Sequence, residues 1–416
     1  MHILAIGNFY APEETGIAPY TTGLAEHLAG RGHQVTMVTT MPSYPQWAVY
    51  PEYRGVFRRQ EWRGGVDVRR TRSYVPRKQS AMHRGIYEAS FLFAALTSLT
   101  VRRPDIVIGV VPALSAGVAA RIVASYFRSP YGLLFQDLTG PAATQSGMIG
   151  GGRTAGAIST IEGWTARNAA AIGIIAEGFR PYLHSIGVKP HRIHRVRNWM
   201  HLHQSKLSRI ETRRLLDLPQ DAVICLHAGN MGLKQGLTTI VESARLAVEA
   251  DPKLKFVLMG DGSQRQTLLE LCKRLHLPNV RFLPIQPPEL FPSALAAADI
   301  LLVNQRGSVT NMSLPGKLTS YFAAGRPVIA AVSPDSETAT EIRNSGAGIL
   351  VPPDQPTALL DAIRELTLDT GLQTRVSSNA QAYAITSMSP NQALFELETL
   401  LGVISVPPID TQSVPR

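Results

Sequence analysis

Short apolar runs punctuate the chain, and between them lie stretches whose apolar positions recur at helical spacing. Ile3–Ile6, Val35–Val38, Ile106–Val111, Leu133–Phe135 and Ala171–Ile175 read as buried strands, with Tyr20–Ala29, Leu114–Tyr126 and Ile158–Arg167 as helices between several of them. This βαβ rhythm predicts a mainly parallel sheet. A second series follows: Val223–Leu226, Phe256–Met259, Val280–Leu283, Ile300–Val303, Val328–Ala331 and Gly348–Val351. The fold class is therefore α/β, with two similar units in tandem that repeat an architecture rather than a sequence. Between the two series, His184 to His203 is polar, basic and poor in apolar periodicity, and reads as the linker. The expected division is 1–200, then 201–385, then a helix over 386–402. Helical stretches near Thr374–Tyr383 and Asn391–Leu401 have no strand after them and could cap either unit. Prolines and lost periodicity beyond Gly402 predict a disordered tail over 403–416.

Composition removes several alternatives. At 416 residues the chain exceeds the ~150 typical of one domain, and 44% apolar against 17% charged residues is ordinary for a globular protein. Cys225 and Cys272 have no cysteine or ligand-spaced histidine beside them, which excludes a disulfide framework and a Cys-based zinc site and fits a reducing compartment. The start, Met1 to Gly7, lacks the basic head and long apolar core of a secretory signal. Phe91 to Val101 is too short to span a bilayer and is broken by Thr97, Ser98 and Thr100. A cytoplasmic protein is expected. The formal charge of +10 favours an anionic partner, with phosphate, membrane surface and nucleic acid all open at this point.

Chemistry concentrates at loops that join a strand to a helix. The first, Gly7 to Gly16, places a glycine at a helix mouth, where free N–H groups can meet an anion; it lacks the G-x-G-x-x-G dinucleotide fingerprint. The second unit opens with His227-Ala228-Gly229-Asn230-Met231-Gly232-Leu233-Lys234-Gln235-Gly236. Three glycines and a lysine between strand and helix suit a diphosphate, and the missing Lys-Ser/Thr pair excludes a P-loop. Farther on, Ser313, Leu314, Pro315 and Gly316 lead into a short helix carrying Lys317 and Ser320, ended by Gly325. Lys317 opposes the helix dipole there, a cost that an anionic ligand would relieve.

The ordered set Pro12-Glu13…Gly16-Ile17-Ala18-Pro19-Tyr20, Arg31-Gly32-His33, Gln136-Asp137-Leu138, Asn198-Trp199, Gly229 to Leu237, Gly260-Asp261-Gly262 and Lys317-Leu318…Tyr321…Gly325-Arg326-Pro327-Val328 resembles glycosyltransferase family 4 from residue 1 to about 401. The likeness is strongest to its colanic-acid-type and amino-fucose transferases of bacterial surface polysaccharides. It implies a GT-B fold, two Rossmann-like domains facing across a cleft, with a C-terminal helix crossing back onto the first. It also implies a retaining transfer from a nucleoside-diphosphate sugar, with no cofactor and no essential metal. The absence of any Asp-x-Asp agrees on the last point.

On this resemblance Gln136, Asp137, Lys234 and Lys317 are the candidate catalytic residues. The candidate donor-binding set is Gly16, Gly229, Asn230, Gly232, Gln235, Gly236, Asp261, Gly262, Ser313, Leu314, Pro315, Gly316 and Ser320. Three departures stand out. Alignment on Gly325 puts Met312 and Ser320 where the family carries its Glu-x7-Glu carboxylates. Asn230 replaces a diphosphate-gripping arginine, and Phe135-Gln136-Asp137 stands where many members have a histidine. Two rivals compete with transfer: a nucleotide-sugar 2-epimerase of the same fold, which needs more cleft carboxylates, and a non-catalytic sugar-nucleotide scaffold, which the missing Glu pair favours.

Residues 54–84 hold ten basic side chains against Glu61 and Asp67. The apolar run Ile86, Tyr87, Phe91, Leu92, Phe93 and Leu96 follows. Together, over 54–101, they predict attachment to an anionic inner-membrane surface and delivery of a polyprenyl-diphosphate-linked glycan acceptor. A solvated basic face over a core helix is the plainer alternative. No nucleic-acid recognition motif is present. His184, His191, His194, His201 and His203 crowd the linker without an acidic or Cys partner, so no metal site is assigned.

Overall fold

His2–Ile6 (β1) is buried at every position, as befits a central strand covered on both faces. The rest of its sheet is Gln34–Thr40 (β2), Arg58–Arg63 (β3), Val66–Thr71 (β4), Ile106–Val111 (β5), Tyr131–Phe135 (β6), Ala171–Ile174 (β7) and Ile193–Arg195 (β8). The order is β3-β4-β2-β1-β5-β6-β7-β8, parallel throughout except for the β3–β4 hairpin. The computed structural model describes residues 1–76, 81–141, 152–200, 205–309 and 316–405. They fall into two compact units: Met1–Asn198 with the chain from Asn391 onward, and Trp199–Pro390.

The second unit carries Val223–Ala228 (β9), Leu254–Met259 (β10), Val280–Leu283 (β11), Ile300–Asn304 (β12), Val328–Ala331 (β13) and Gly348–Val351 (β14), all parallel, in the order β11-β10-β9-β12-β13-β14. Alternating side chains feed two cores. Ile224, Leu226 and Ala228 pack on one face with Leu318, Tyr321 and Phe322, and Cys225, Leu258 and Leu302 pack on the other with Ile240 and Ile363. Both cysteines are buried free thiols. Each sheet reverses its strand order once, at β1/β5 and at β9/β12. In open α/β sheets ligands bind beyond the strand ends at such reversals.

Four expectations need correction. The supposed linker is structured through its first half: Phe179–Ser185 is a helix and β8 joins the first sheet, because Ile193 is buried and Val196 donates to Ile174. His201 and His203 lie outside the described residues. The tail does not begin at 403, since the helix Pro390–Ser405 runs past Gly402 and seats Ile404 against Gly132 of β6. That helix belongs to the first unit, holding it through Leu397, Leu400 and Leu401 and through Glu398, 2.7 Å from His27 and 2.9 Å from Arg31.

The basic stretch is a β-hairpin whose charges are partly spent internally. Arg70 is fully buried, 2.7 Å from Glu61, and Arg69 pairs with Asp67. Arg77 and Lys78 lie outside the described residues. The apolar run after it is mostly core: in the helix Ala81–Ala95, Tyr87 and Phe91 are buried, while Ile86 and Phe93 face outward. Helical periodicity divides the run between the two faces. No helix among the described residues is long and apolar enough to cross a membrane.

Candidate active site

In the second unit the loop after β9 lies against the loop after β10. A side chain on Gly260, at φ +142°, would bring a Cβ to 2.0 Å from the Gly229 carbonyl oxygen, so only glycine lets the two loops nest this closely. Met231 N–H donates to the Asp261 carbonyl at 2.8 Å, and Gly262 N–H to the Asp261 carboxylate at 2.8 Å. Gly262 sits beneath Asn230 and Met231. Gly232 N–H donates to the Gln235 side chain at 3.0 Å, and Gly236 turns through φ +56° into the helix Thr238–Ala247. Gly229, Asn230, Gly232, Gln235, Gly236, Asp261 and Gly262 are thus brought together as one framework.

The helix Lys317–Ala323 begins at this framework, with Gly316 as its cap residue. The Lys317 ammonium lies 3.4 Å from His227 Nε2 and 3.6 Å from where a Cβ on Gly229 would stand. Burial pushes the Lys317 pKa down to about 7. Burial first, then the Lys317 charge, holds the His227 imidazole well below its usual value. One turn on from Lys317, the Tyr321 hydroxyl receives the Ala228 N–H at 2.7 Å, fixing the helix to the end of β9. Ser320 is buried in the same helix, and Ser313, Leu314 and Pro315 lie outside the described residues. Lys234 is tied to the loop after β12, its carbonyl accepting from Arg306 N–H at 2.9 Å. Asp354 receives the Gly307 N–H at 3.0 Å, steadying that loop from beyond β14.

The first unit organises its loops around carboxylates. Glu13, buried, accepts from the N–H groups of Ser43 at 2.7 Å, Tyr44 at 2.8 Å and Tyr10 at 3.2 Å. Gly16, at φ +66°, is exposed a few residues on, where a side chain would approach the Tyr44 ring. Gln136 and Asp137 follow the end of β6. The Gln136 side chain accepts from Asn198 at 2.8 Å, and Asp137 accepts from Leu138 N–H at 3.1 Å. Behind them Glu162, in the helix Gly152–Ala166, accepts from Thr139 N–H at 2.9 Å, Gly140 N–H at 3.0 Å and the Tyr182 hydroxyl. Burial raises the pKa of both Glu13 and Glu162.

His227, Tyr321 and Glu162 are additions that sequence reasoning missed. A histidine interrupting the apolar run of β9 was the one available signal. Among the described residues no group of three His, Cys, Asp or Glu side chains is placed to hold a metal.

Two family models cover most of the chain: "Glycosyl transferase 4-like domain" over residues 15–199 and "Glycosyl transferases group 1" over 208–383. A putative colanic acid biosynthesis glycosyl transferase of Escherichia coli, WcaI, is 31% identical over 88% of this chain and 92% of its own length. Among solved structures, HepE of Anabaena in complex with UDP superposes with a TM-score of 0.71 at 16% identity, over 97% of this chain and 100% of that one. A sucrose-phosphate synthase of Thermosynechococcus elongatus gives 0.73 at 17% identity, over 96% and 98%. At these identities the structures speak for the fold alone.

Proposed function

The chain belongs to the family 4 glycosyltransferases of polysaccharide biosynthesis, with the two Rossmann-like domains of the GT-B fold, and from that premise we propose a specific reaction. It moves a sugar, with retention of anomeric configuration, from a nucleoside-diphosphate sugar to a glycan carried on a polyprenyl diphosphate. Breaking the bond from C1 to the diphosphate puts negative charge on the departing oxygen, so fixed donors and cations at that point lower the barrier. Lys317 is assigned to that oxygen, with the Gly229–Gly236 loop and Lys234 completing the grip. Asp261 and Gly262 border the nucleotide. Gly16, Gln136 and Asp137 are assigned to the sugar and acceptor side, and the donor's own phosphate to deprotonating the acceptor. No metal is assigned, since cationic side chains take its place.

One observation carries the reading. Lys317 is held at the sheet's strand-order reversal, beside Gly229 and His227, where the loop after β9 carries no carboxylate of its own. HepE, in the same fold, has been solved in complex with UDP, which makes UDP the first probe. The test is a thermal-shift screen of UDP-, GDP- and dTDP-sugars, followed by donor hydrolysis and NMR of the released anomer. Stabilisation of about 2.7 kcal/mol is expected for a donor present at 100 times its dissociation constant. No response to any of the three, or an inverted anomer, would overturn the proposal.

Attachment to the cytoplasmic face of the inner membrane is part of the same proposal. Arg54, Arg58 and Arg63 are exposed around the hairpin together with Phe57 and Trp62, the last 72% exposed, and Phe93 lies outward on the following helix. Anionic lipid attracts such residues at about 1 kcal/mol per nearby basic side chain.

A further inference from the structure

The segment after β2 is held more tightly than a surface loop needs. The N–H groups of Ser43 and Tyr44 both donate to the buried Glu13 carboxylate, at 2.7 and 2.8 Å. Within the segment, Ala48 N–H donates to the Ser43 carbonyl at 3.2 Å, Tyr50 N–H to the Pro42 carbonyl at 3.0 Å, and the Tyr50 hydroxyl to the Tyr44 carbonyl at 2.9 Å. What this framework displays is a pair of half-buried aromatic rings, Tyr44 and Trp47. Trp47 stands at φ +51°, a left-handed backbone that a bulky residue adopts only where its surroundings impose it. Gly16 makes room for the other ring, since a Cβ there would lie 3.2 Å from Tyr44 Cε1.

The rings close into a circuit. Phe9 meets Tyr44 at 5.4 Å between centroids, Tyr44 meets Trp47 at 5.8 Å, and Trp47 meets Tyr87 of the helix Ala81–Ala95 at 6.1 Å, each pair edge to face. The Tyr87 hydroxyl then bonds the side chain of Asn8, the residue before Phe9. Asn8 is 1% exposed; one end of its amide meets Tyr87, and the other has no partner among the described residues. Turning the amide over exchanges the two ends without satisfying both. We infer that this circuit is a binding subsite for a pyranose ring of the glycan acceptor. A pyranose answers both features. Its axial C–H groups form an apolar face that packs on the electron-rich face of an aromatic ring, and its hydroxyls donate as well as accept, so one can bond the open end of Asn8. The isoprenoid part of a lipid-linked acceptor would cover the rings and leave the buried amide unsatisfied, which costs free energy. Trp47 and Tyr44 are therefore assigned to stacking and Asn8 to orienting the sugar, with no bond made or broken by any of them. The inference rests on the reading above that the first unit takes the acceptor.

The experiment is NMR of the full chain with the methyl glycosides of glucose, galactose, N-acetylglucosamine and fucose as probes. In saturation-transfer spectra at least one of them should receive magnetisation, most strongly on the C–H protons of a single ring face. Trp47→Leu and Asn8→Leu should each reduce that transfer by about fivefold, on the scale of a lost aromatic contact or a lost hydrogen bond. Trp47→Phe, which keeps a ring, should retain most of it. The chain has four tryptophans, and the indole N–H signal of Trp47 is the one that Trp47→Phe deletes. In the wild type that signal should move when the glycoside is added, and this shift decides the matter even if a leucine variant fails to fold. No transfer to any of the probes, transfer undiminished in a folded Trp47→Leu, or a Trp47 signal that stays fixed while a glycoside binds overturns the inference. Titration of the same samples with UDP separates it from the donor assignment. Glycoside contact at Trp47 without UDP binding leaves this subsite standing and breaks that assignment, and UDP binding without glycoside contact does the reverse.

Discussion

Both units end a central strand in a loop that turns into a helix, yet the two loops carry opposite charges. In the first unit Glu13 gathers three backbone N–H groups and Glu162 gathers two, so an internal anion occupies each turn. In the second unit the matching turn has no carboxylate, and a lysine stands at its mouth. A turn that carries its own anion is complete in isolation. One with a lysine at its mouth and no carboxylate of its own leaves that charge for a ligand to meet. The same α/β scaffold thus yields a self-satisfied turn in one unit and, on the proposed function, an anion receptor in the other.

The strongest way to break this contrast is at Gly260. Replacement by alanine sets a Cβ 2.0 Å from the Gly229 carbonyl, a clash with backbone that no rotamer relieves. Loss of UDP binding beyond ~100-fold and destabilisation of several kcal/mol are expected, on the scale of overpacking combined with a strained φ. Calorimetry and urea unfolding check both. A variant that binds UDP normally would mean that the nested loops do not form the receptor.

Next in size is Lys317→Met. Removing a cation aimed at developing charge should cost ~10²–10³ in turnover and leave the fold intact. Activity retained within about threefold would remove Lys317 from the chemistry. By contrast, Glu162→Ala strands two amide donors and a tyrosine hydroxyl behind Gln136 and Asp137. It should destabilise the first unit by ~1–3 kcal/mol per stranded group at most and lower turnover, with UDP affinity unchanged. If UDP affinity fell instead, the division of labour between the units would be wrong.

Much of this arrangement was readable from the sequence, and the exceptions share a cause. Apolar runs such as Ile3–Ile6 and Ile300–Val303 announced the buried strands His2–Ile6 and Ile300–Asn304 because both faces are covered. The hairpin β3–β4 did not, since its arginines hide the pattern: Arg70 enters the core only through its ion pair with Glu61 and its bonds to the carbonyls of Thr40 and Ala11. The glycines and the lysine of the Gly229–Gly236 loop were visible because their spacing is local. His227 and Tyr321 were not assigned roles, because these depend on which strand end the helix Lys317–Ala323 meets. Glu162 reaches Thr139 across 23 residues of chain, a relation that no local spacing encodes.

The smallest expected effect is also the most direct test of the opposed charges. The Glu13 carboxyl has its pKa raised by burial, so above the usual carboxylate value the folded chain holds a proton that the unfolded chain has released. Its contribution to stability is therefore present below about pH 4.5 and lost as pH rises through the folded value. Lys317 runs the other way. With its pKa pushed down to about 7, the folded chain has released a proton that the unfolded chain keeps up to the ordinary lysine value, so stability rises with pH above neutrality. Against the wild type, Glu13→Gln should cancel the first slope and Lys317→Met the second, each by at most a few degrees of Tm. Saturating UDP should abolish the Lys317 slope, because the bound anion restores the charge, and should leave the Glu13 slope untouched. If UDP flattened both slopes, the first unit's turn would be sensing the ligand as well, and its carboxylate would no longer count as a self-contained anion.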